Sequence, residues 1–333
     1  MSKRFITMKD VAKASGVSLN TVSRAFNDKA DINEETKKKV LSVAEELGYV
    51  KNASASLLRK KHTKIFGVIV SDNTNPFSAE LVKAIERRAH EVGYQMILMN
   101  TDRVYENEKN AIQTILERRV DGLIITPVQS DNSDIKTLLK RNFPVVVLGR
   151  YFKDIQVDTV HNDEVKGGYL ATKHLIEKGC KNILFLNHYL YKSVSQMRYE
   201  GFKKALKEHD IAFNDEMMVE IDMDIYQAYE TVKMLLKKKK RIDGLFCFND
   251  LMAMGALNAV HEEGVNIPDE IKIVGFDNIV FSGIVSPSLT TVNIDKKELG
   301  EKGFEVLLER INEQRSQPVR VILDVDLVER KST

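Results

Sequence analysis

From Lys64 onward the chain alternates short apolar runs with longer stretches of helical period. "KIFGVIV", "YQMILMN", "DGLIITP" and "PVVVLG" have the length and branched side chains of buried strands. Between them, "PFSAELVKAIERRAHEVG" and "NEKNAIQTILERR" carry apolar residues at helical spacing. After "VDTVHND" the alternation starts again: "EVKGGYLATKHLIEKG", "NILFLN", "MRYEGFKKALKEHD", "AYETVKMLLKKKK", "GLFCFN", "LMAMGALNAVHEEG", "IKIVGFD". A helix between successive strands is what a parallel crossover requires, and it covers both sheet faces. Neither set is long enough to use the whole stretch. The expectation is an α/β core of two similar lobes, with a cleft beyond the carboxyl ends of the strands.

Residues just after those strands are therefore the first candidates for a ligand site. They are Ser71, Asp72 and Asn73; Arg150; Asn249 and Asp250; and Asp277 and Asn278. Hydroxyls, amides, carboxylates and a guanidinium of this kind satisfy a polyol by paired hydrogen bonds. The competing reading is that Asp and Asn cap the helices that follow, and Asp250 is expected to do so.

The first fifty residues follow a different pattern. Thr7 precedes Met8, Val11 and Ala12, with Asp10 three residues on, which is a capping-box start. Gly16 supplies a turn, and Ser18 caps a second helix with Val22, Ala25 and Phe26 inward. Asn33 caps a third, with Val40, Val43, Ala44 and Leu47 as its stripe and Gly48 at its end. This is a helix-turn-helix pattern. Its second helix presents groups suited to base edges: Arg24 to guanine, Asn20 to adenine, Leu19 to a thymine methyl. Thr7, Ser18, Thr21, Ser23 and Asn27 are short polar groups suited to phosphates.

Charge points the same way. Residues 1–64 hold 14 Lys and Arg against 7 Asp and Glu, while the remainder holds 36 against 41. A basic module on a larger acidic one fits a polyanion-binding head. A three-helix bundle with a polar face and no DNA would share both features.

"MKDVAKASGVSLNTVSRAFN" and "INEETKKKVLSVAEELGYVKNASASLLR" resemble the DNA-binding end of the LacI/GalR family of bacterial transcription repressors. The likeness continues in order through "GVIVSDNTNPFSAEL", "RRVDGLIITP", "MRYEGFKKAL", "FCFNDLMAMGAL", "IKIVGFDN" and "SPSLTTV". It implies a helix-turn-helix domain over 1–50, a hinge helix over 51–63 and an effector-binding and dimerisation core over 64–333. That core resembles periplasmic binding proteins, with an N-lobe of about 64–162 and 293–323 and a C-lobe of about 163–292 and 324–333. The family's base-reading positions fall on Leu19, Asn20 and Arg24. Its effector contacts fall on Phe77, Arg198, Met223, Asn249 and Asp277, beside Asp72 and Arg150 from the strand-end argument. Position 223 is usually aromatic in the family.

Read by composition, "NASASLLRKKHTK" is a linker with two unexplained leucines, which could simply cover a neighbouring domain. The resemblance makes it a hinge that folds on the operator. Asn52 and Ala53 open the hinge helix, Ala55 lies close to the minor groove, and Leu57 packs against the partner hinge helix or the core domain. Leu58 is the wedge that kinks the duplex by unstacking a base step. Two positions depart from the family pattern: Lys51 stands where a proline is usual, and Ser56 where a basic residue is usual. Both changes favour a hinge less ordered away from DNA.

No phosphate-binding glycine loop, zinc-protease motif or nucleophile elbow occurs, so no enzyme, cofactor or metal is expected. Cys180 and Cys247, far apart, are expected to be reduced thiols. "MSKRFITMKD" is not a secretory signal, and no window reaches the ~18 apolar residues of a membrane span. The expected protein is a cytoplasmic homodimer that represses from a palindromic operator under control of a small effector, a carbohydrate by the polar set above. The chain ends on "VDLVERKST" without heptads, so no tetramer-forming coiled coil is expected. A corepressor-type response to a purine, sugar acid or sugar phosphate is the alternative, and Lys192, near the same turn as Arg198, leaves the sugar acid or sugar phosphate open. A solute-binding protein without DNA function and a DNA-tethered enzyme are the remaining classes.

Overall fold

The computed structural model describes residues 6–27, 32–50, 62–128, 131–238 and 240–333. The hinge positions Lys51, Asn52, Ala53, Ala55, Ser56, Leu57 and Leu58 lie outside them. The chain divides into two compact units, Met1–Thr63 and Lys64–Thr333.

In the first unit, α1 (Met8–Ser15), α2 (Leu19–Phe26) and α3 (Glu34–Glu46) surround a small core. Val11, Val22, Ala25, Val40 and Ala44 are buried there. The Thr7–Asp10 capping box forms: the Thr7 backbone N–H donates to Asp10 Oδ2 at 2.8 Å, and the Asp10 N–H to Thr7 Oγ1 at 3.4 Å. Gly16 turns the chain at φ +69°, a left-handed conformation that glycine adopts without cost. Leu47 departs from expectation and is 37% exposed. It sits at the C-cap, past the helical period, and Tyr49 closes the core instead, 5.2 Å from the Phe26 ring.

The second unit contains two six-stranded sheets. The strands are β1 (Ile65–Val70), β2 (Gln95–Asn100), β3 (Leu123–Ile125), β4 (Val145–Leu148), β5 (Asp158–Asn162), β6 (Ile183–Asn187), β7 (Met218–Glu220), β8 (Gly244–Cys247), β9 (Lys272–Asp277), β10 (Thr290–Asn293), β11 (Arg320–Leu323) and β12 (Asp326–Val328). The helices between them are α4 (Pro76–Glu91), α5 (Tyr105–Glu117), α6 (Ser133–Lys140), α7 (Glu164–Glu177), α8 (Ser193–Glu208), α9 (Ile225–Lys237), α10 (Asp250–Glu262) and α11 (Lys296–Ile311). The first sheet runs β11-β5-β4-β3-β1-β2, all parallel. The second runs β12-β10-β9-β8-β6-β7, parallel except for β12.

The two sheets have the same winding, as the restarting alternation predicts. The chain passes between lobes after β5, after β10 and after β11. Hydrophobic period does not reveal α6, α11, the four-residue β10 or the short strands β7, β11 and β12. Several helices also begin before the quoted stretches, α5 at Tyr105, α8 at Ser193 and α9 at Ile225, where Asp224 caps it. Glycines set the close helix contacts. A Cβ on Gly168 would fall 2.2 Å from the Arg198 carbonyl oxygen, and one on Gly201 2.1 Å from that of Val165, so α7 and α8 touch backbone to backbone.

Candidate functional site

Two sets of residues were expected to carry function. On α2, burial of Val22 and Ala25 turns the opposite face to solvent. Leu19 is 44% exposed there, and Asn20 and Arg24 are exposed beside it. The short polar groups have local duties as well. Ser18 Oγ accepts the Thr21 N–H at 3.1 Å and shares a hydrogen bond with Thr21 Oγ1 at 2.8 Å. Asn27 Nδ2 donates to the Ser23 carbonyl at 2.8 Å, and Thr7 Oγ1 donates to Asp10 at 2.6 Å. Ser18, Thr21 and Asn27 therefore hold the ends of α2, which carries Leu19, Asn20 and Arg24, while Thr7 holds the start of α1.

In the second unit, Phe77, Arg150, Arg198, Met223, Asn249 and Asp277 line one cavity of about 160 Å³ between the lobes, together with Ser71. The topology brings them together: they follow β1, β4, β8 and β9 or stand on the helices and loops above those strand ends. A larger groove of about 680 Å³, beside Glu80, Arg87 and His90, contains none of them.

Arg198 is 4% exposed. Its Nε donates to Glu164 Oε2 at 2.7 Å, Nη1 donates to the Phe248 carbonyl, and Nη2 lies 3.7 Å from Asp277 Oδ1. Its guanidinium carbon lies 3.5 Å from the centre of the Phe276 ring and 4.4 Å from that of Phe248. So held, Arg198 is a fixed platform in the cavity wall. Burial pushes the Asp277 carboxyl up to about 8, with Arg198 pulling the other way. Asp277 has φ +103° and Asn278 φ +49°, an unusual turn for non-glycine residues. The Lys296 ammonium holds it by donating to the carbonyls of Asp277 at 2.7 Å and Asn278 at 2.9 Å.

Two strand-end expectations need correction. Asp72 is absent from the cavity wall: its Oδ2 accepts from Arg103 at 2.8 Å and its Oδ1 from the Thr74 N–H at 2.9 Å, so the local turn consumes it. Asp250 does not cap α10. Asn249 does, its Oδ1 accepting the Met252 N–H at 2.9 Å, which turns the Asn249 amide group toward the cavity. Asp250 is fully buried and accepts from the Ile279 N–H at 2.9 Å, Ser282 Oγ at 2.7 Å and Thr291 Oγ1 at 2.6 Å.

The sequence reading missed Asn162, Glu164, His188 and Phe248, which line the cavity together with Lys192, the residue that had left a sugar acid or sugar phosphate open. Asn162 follows the β5 run "VDTVHND", so the strand-end rule could have found it. Glu164 and Phe248 have no local signal. Asn162 Oδ1 is buried without a hydrogen-bond partner among the described residues, an acceptor aimed at whatever fills the cavity. Cys180 and Cys247 are free and buried, and burial raises both thiols. Among the described residues no helix is long and apolar enough to cross a membrane.

Comparisons with known proteins agree with this anatomy. A model of "bacterial regulatory proteins, lacI family" matches residues 7–52, and one of "periplasmic binding proteins and sugar binding domain of LacI family" matches residues 63–331. The HTH-type transcriptional repressor PurR of Actinobacillus pleuropneumoniae serotype 3 (strain JL03) is 36% identical over 328 residues, 98% of each chain. The Lac repressor dimer bound to operator and the anti-inducer ONPF superposes with a TM-score of 0.87 at 28% identity over 99% of both chains. The transcriptional regulator CelR–cellobiose complex gives 0.77 at 26% identity, over 98% of this chain and 100% of that one. The chain thus belongs to the LacI family of bacterial regulatory proteins, with a helix-turn-helix DNA-binding unit followed by an effector-binding core of two α/β lobes.

Proposed function

We propose that this protein is a homodimeric repressor whose hold on a palindromic operator is set by a small carbohydrate bound between the lobes of its core. The observation that carries this reading is the convergence of Phe77, Arg150, Arg198, Met223, Asn249 and Asp277 on one interlobe cavity. A cleft between lobes responds to a ligand by shifting the population of lobe arrangements, and operator affinity then follows that shift.

Leu19, Asn20 and Arg24 read base edges in this scheme, while Thr7, Ser18, Thr21, Ser23 and Asn27 meet phosphates. The helix-turn-helix domain occupies 1–50, the hinge 51–63 and the core 64–333. Leu58 wedges the minor groove, with Asn52 and Ala55 beside it. The relatives lend support: one solved structure is a Lac repressor dimer on operator, and another is a CelR–cellobiose complex. Polar groups on several sides of the cavity suit a polyol, and Met223 offers a soft apolar wall in place of a ring.

Footprinting on palindromes near the protein's own gene tests the reading. Protection at low salt that a sugar then changes is expected; no protection at low salt would sink it. Leu58→Ala should weaken operator binding and leave effector binding intact. Equal operator affinity would reduce the hinge to a tether.

A further inference from the structure

The cavity wall carries more cationic groups than a neutral sugar needs: Arg150 and Lys192 besides the paired Arg198. Arg150, in the loop after β4, and Lys192, the residue before α8, both line it from opposite lobes. The two loops meet where the Tyr151 N–H donates to Ser193 Oγ at 3.4 Å. Arg150 is 6% exposed and donates Nη1 to the Pro127 carbonyl at 3.2 Å. Among the described residues the Lys192 ammonium makes no hydrogen bond or ion pair, and it lies 5.7 Å from the centre of the Tyr191 ring.

Burial, then Arg150 and Arg103, press the Lys192 ammonium down to about 8, with Glu108 and Asp222 acting weakly the other way. Glu108 is a poor counter-ion. It is buried, its Oε2 accepts the Val128 N–H at 2.6 Å, and burial pushes its carboxyl up. Asp222 is exposed. Charges of one sign brought together away from water are costly until an opposite charge joins them.

We propose that the effector carries an anionic group, a phosphate or a carboxylate, which Arg150 and Lys192 hold between the lobes. The proposal rests on the cleft being the effector site and narrows the class of molecule that enters it. Asn162 Oδ1 and Asp277, which line the same cavity, suit hydroxyl groups, so the whole cavity fits an anionic polyol. The anion also supplies a mechanism. Arg150 and Lys192 repel each other across the cleft when it is empty, and an anion between them turns that repulsion into attraction, favouring the closed arrangement.

The test uses the full chain in calorimetry and thermal-shift titrations at constant ionic strength. Probes are ribose with ribose 5-phosphate, glucose with glucose 6-phosphate and glucuronate, inorganic phosphate alone, and the neutral base hypoxanthine. The anionic member of a pair is expected to bind at least roughly tenfold more tightly than its neutral partner. Lys192→Met and Lys192→Gln, checked for native circular dichroism, should remove most of that preference, lowering the affinity of the anionic member of a pair far more than that of its neutral partner. Inorganic phosphate should raise the parent's Tm more than either variant's. Phosphate and carboxylate sugars compared directly identify which anion fits.

Neutral sugars binding as tightly as their anionic partners, with Asn249→Ala removing them, would overturn the anion and keep the carbohydrate reading. A Lys192-dependent phosphate shift with no sugar bound would keep the anion subsite and remove the carbohydrate. Binding of hypoxanthine alone, or equal phosphate shifts in parent and variants, would overturn the proposal.

Discussion

Arg103, in the first lobe, donates Nη1 to the main-chain carbonyl of Met223 in the second at 2.7 Å, while its Nη2 pairs with Asp72 at 2.8 Å. Asp72 thus acts through Arg103 to fasten the first lobe to the second. The guanidinium is part-exposed, so water screens the pair and its removal should cost about 1 kcal/mol. Arg103→Ala is expected to lower core stability by that amount and to enlarge the radius of gyration in solution scattering. Identical scattering from parent and variant would mean that the clasp does not hold the lobes.

On α2, Arg24 is exposed on the face opposite Val22 and Ala25. Arg24→Ala should cost about 1–3 kcal/mol of operator affinity and relax specificity at one base pair, with the unit still folded. Val22→Ala should do the reverse. Its side chain is fully buried in a core of few residues, so losing two methyl groups costs about 2 kcal/mol of stability, and DNA binding falls because the unit unfolds. Gel shifts together with circular dichroism melts separate the two. An Arg24→Ala variant that binds operator like the parent would remove Arg24 from the base-reading set.

The Asp277 carboxyl is raised from 3.8 to about 8 by burial. A carboxyl whose folded value lies above its unfolded one binds its proton more tightly in the native state. Its contribution is fully present below the unfolded value and is lost as pH rises through the folded one. Native stability should therefore decline between about pH 4 and pH 8 on account of Asp277. Asp277→Asn removes that decline, so the variant's Tm should gain on the parent's steadily from pH 5 to pH 8. Asp250, raised to about 6 and present in both proteins, adds the same background slope to each. A gap that stays flat or narrows with pH would contradict this environment for Asp277.

Gly168 and Gly201 bring α7 and α8 into backbone contact, and the atom a Cβ on Gly168 would strike belongs to Arg198. Gly168→Ala should force the helices apart at a cost of about 1–3 kcal/mol and carry Arg198 away from Glu164 and Asp277. The expected result is a lower Tm together with lost effector binding. Gly264→Ala is a useful control: its Cβ meets nothing within 4 Å and its φ is +71°, so it should show backbone strain alone and no binding defect.

The sequence by itself determined the α/β class, the restart that gives two sheets, the capping box at Thr7 and the exposed face of α2. Each is written in local physics: hydrophobic period, a side chain three residues from the N–H it caps, a glycine where φ is positive. It also pointed to the strand ends as the ligand site, because parallel winding leaves the carboxyl ends open. Only tertiary packing decided which strand-end residues face the cavity. Arg198 meets Glu164 34 residues away and the Phe248 carbonyl 50 away, and Arg103 meets the Met223 carbonyl 120 away. No periodicity encodes such pairs, since they depend on how two sheets and their crossovers close on each other. The same packing sent Asp250 inward and made Asn249 the cap, and it set Lys192 opposite Arg150.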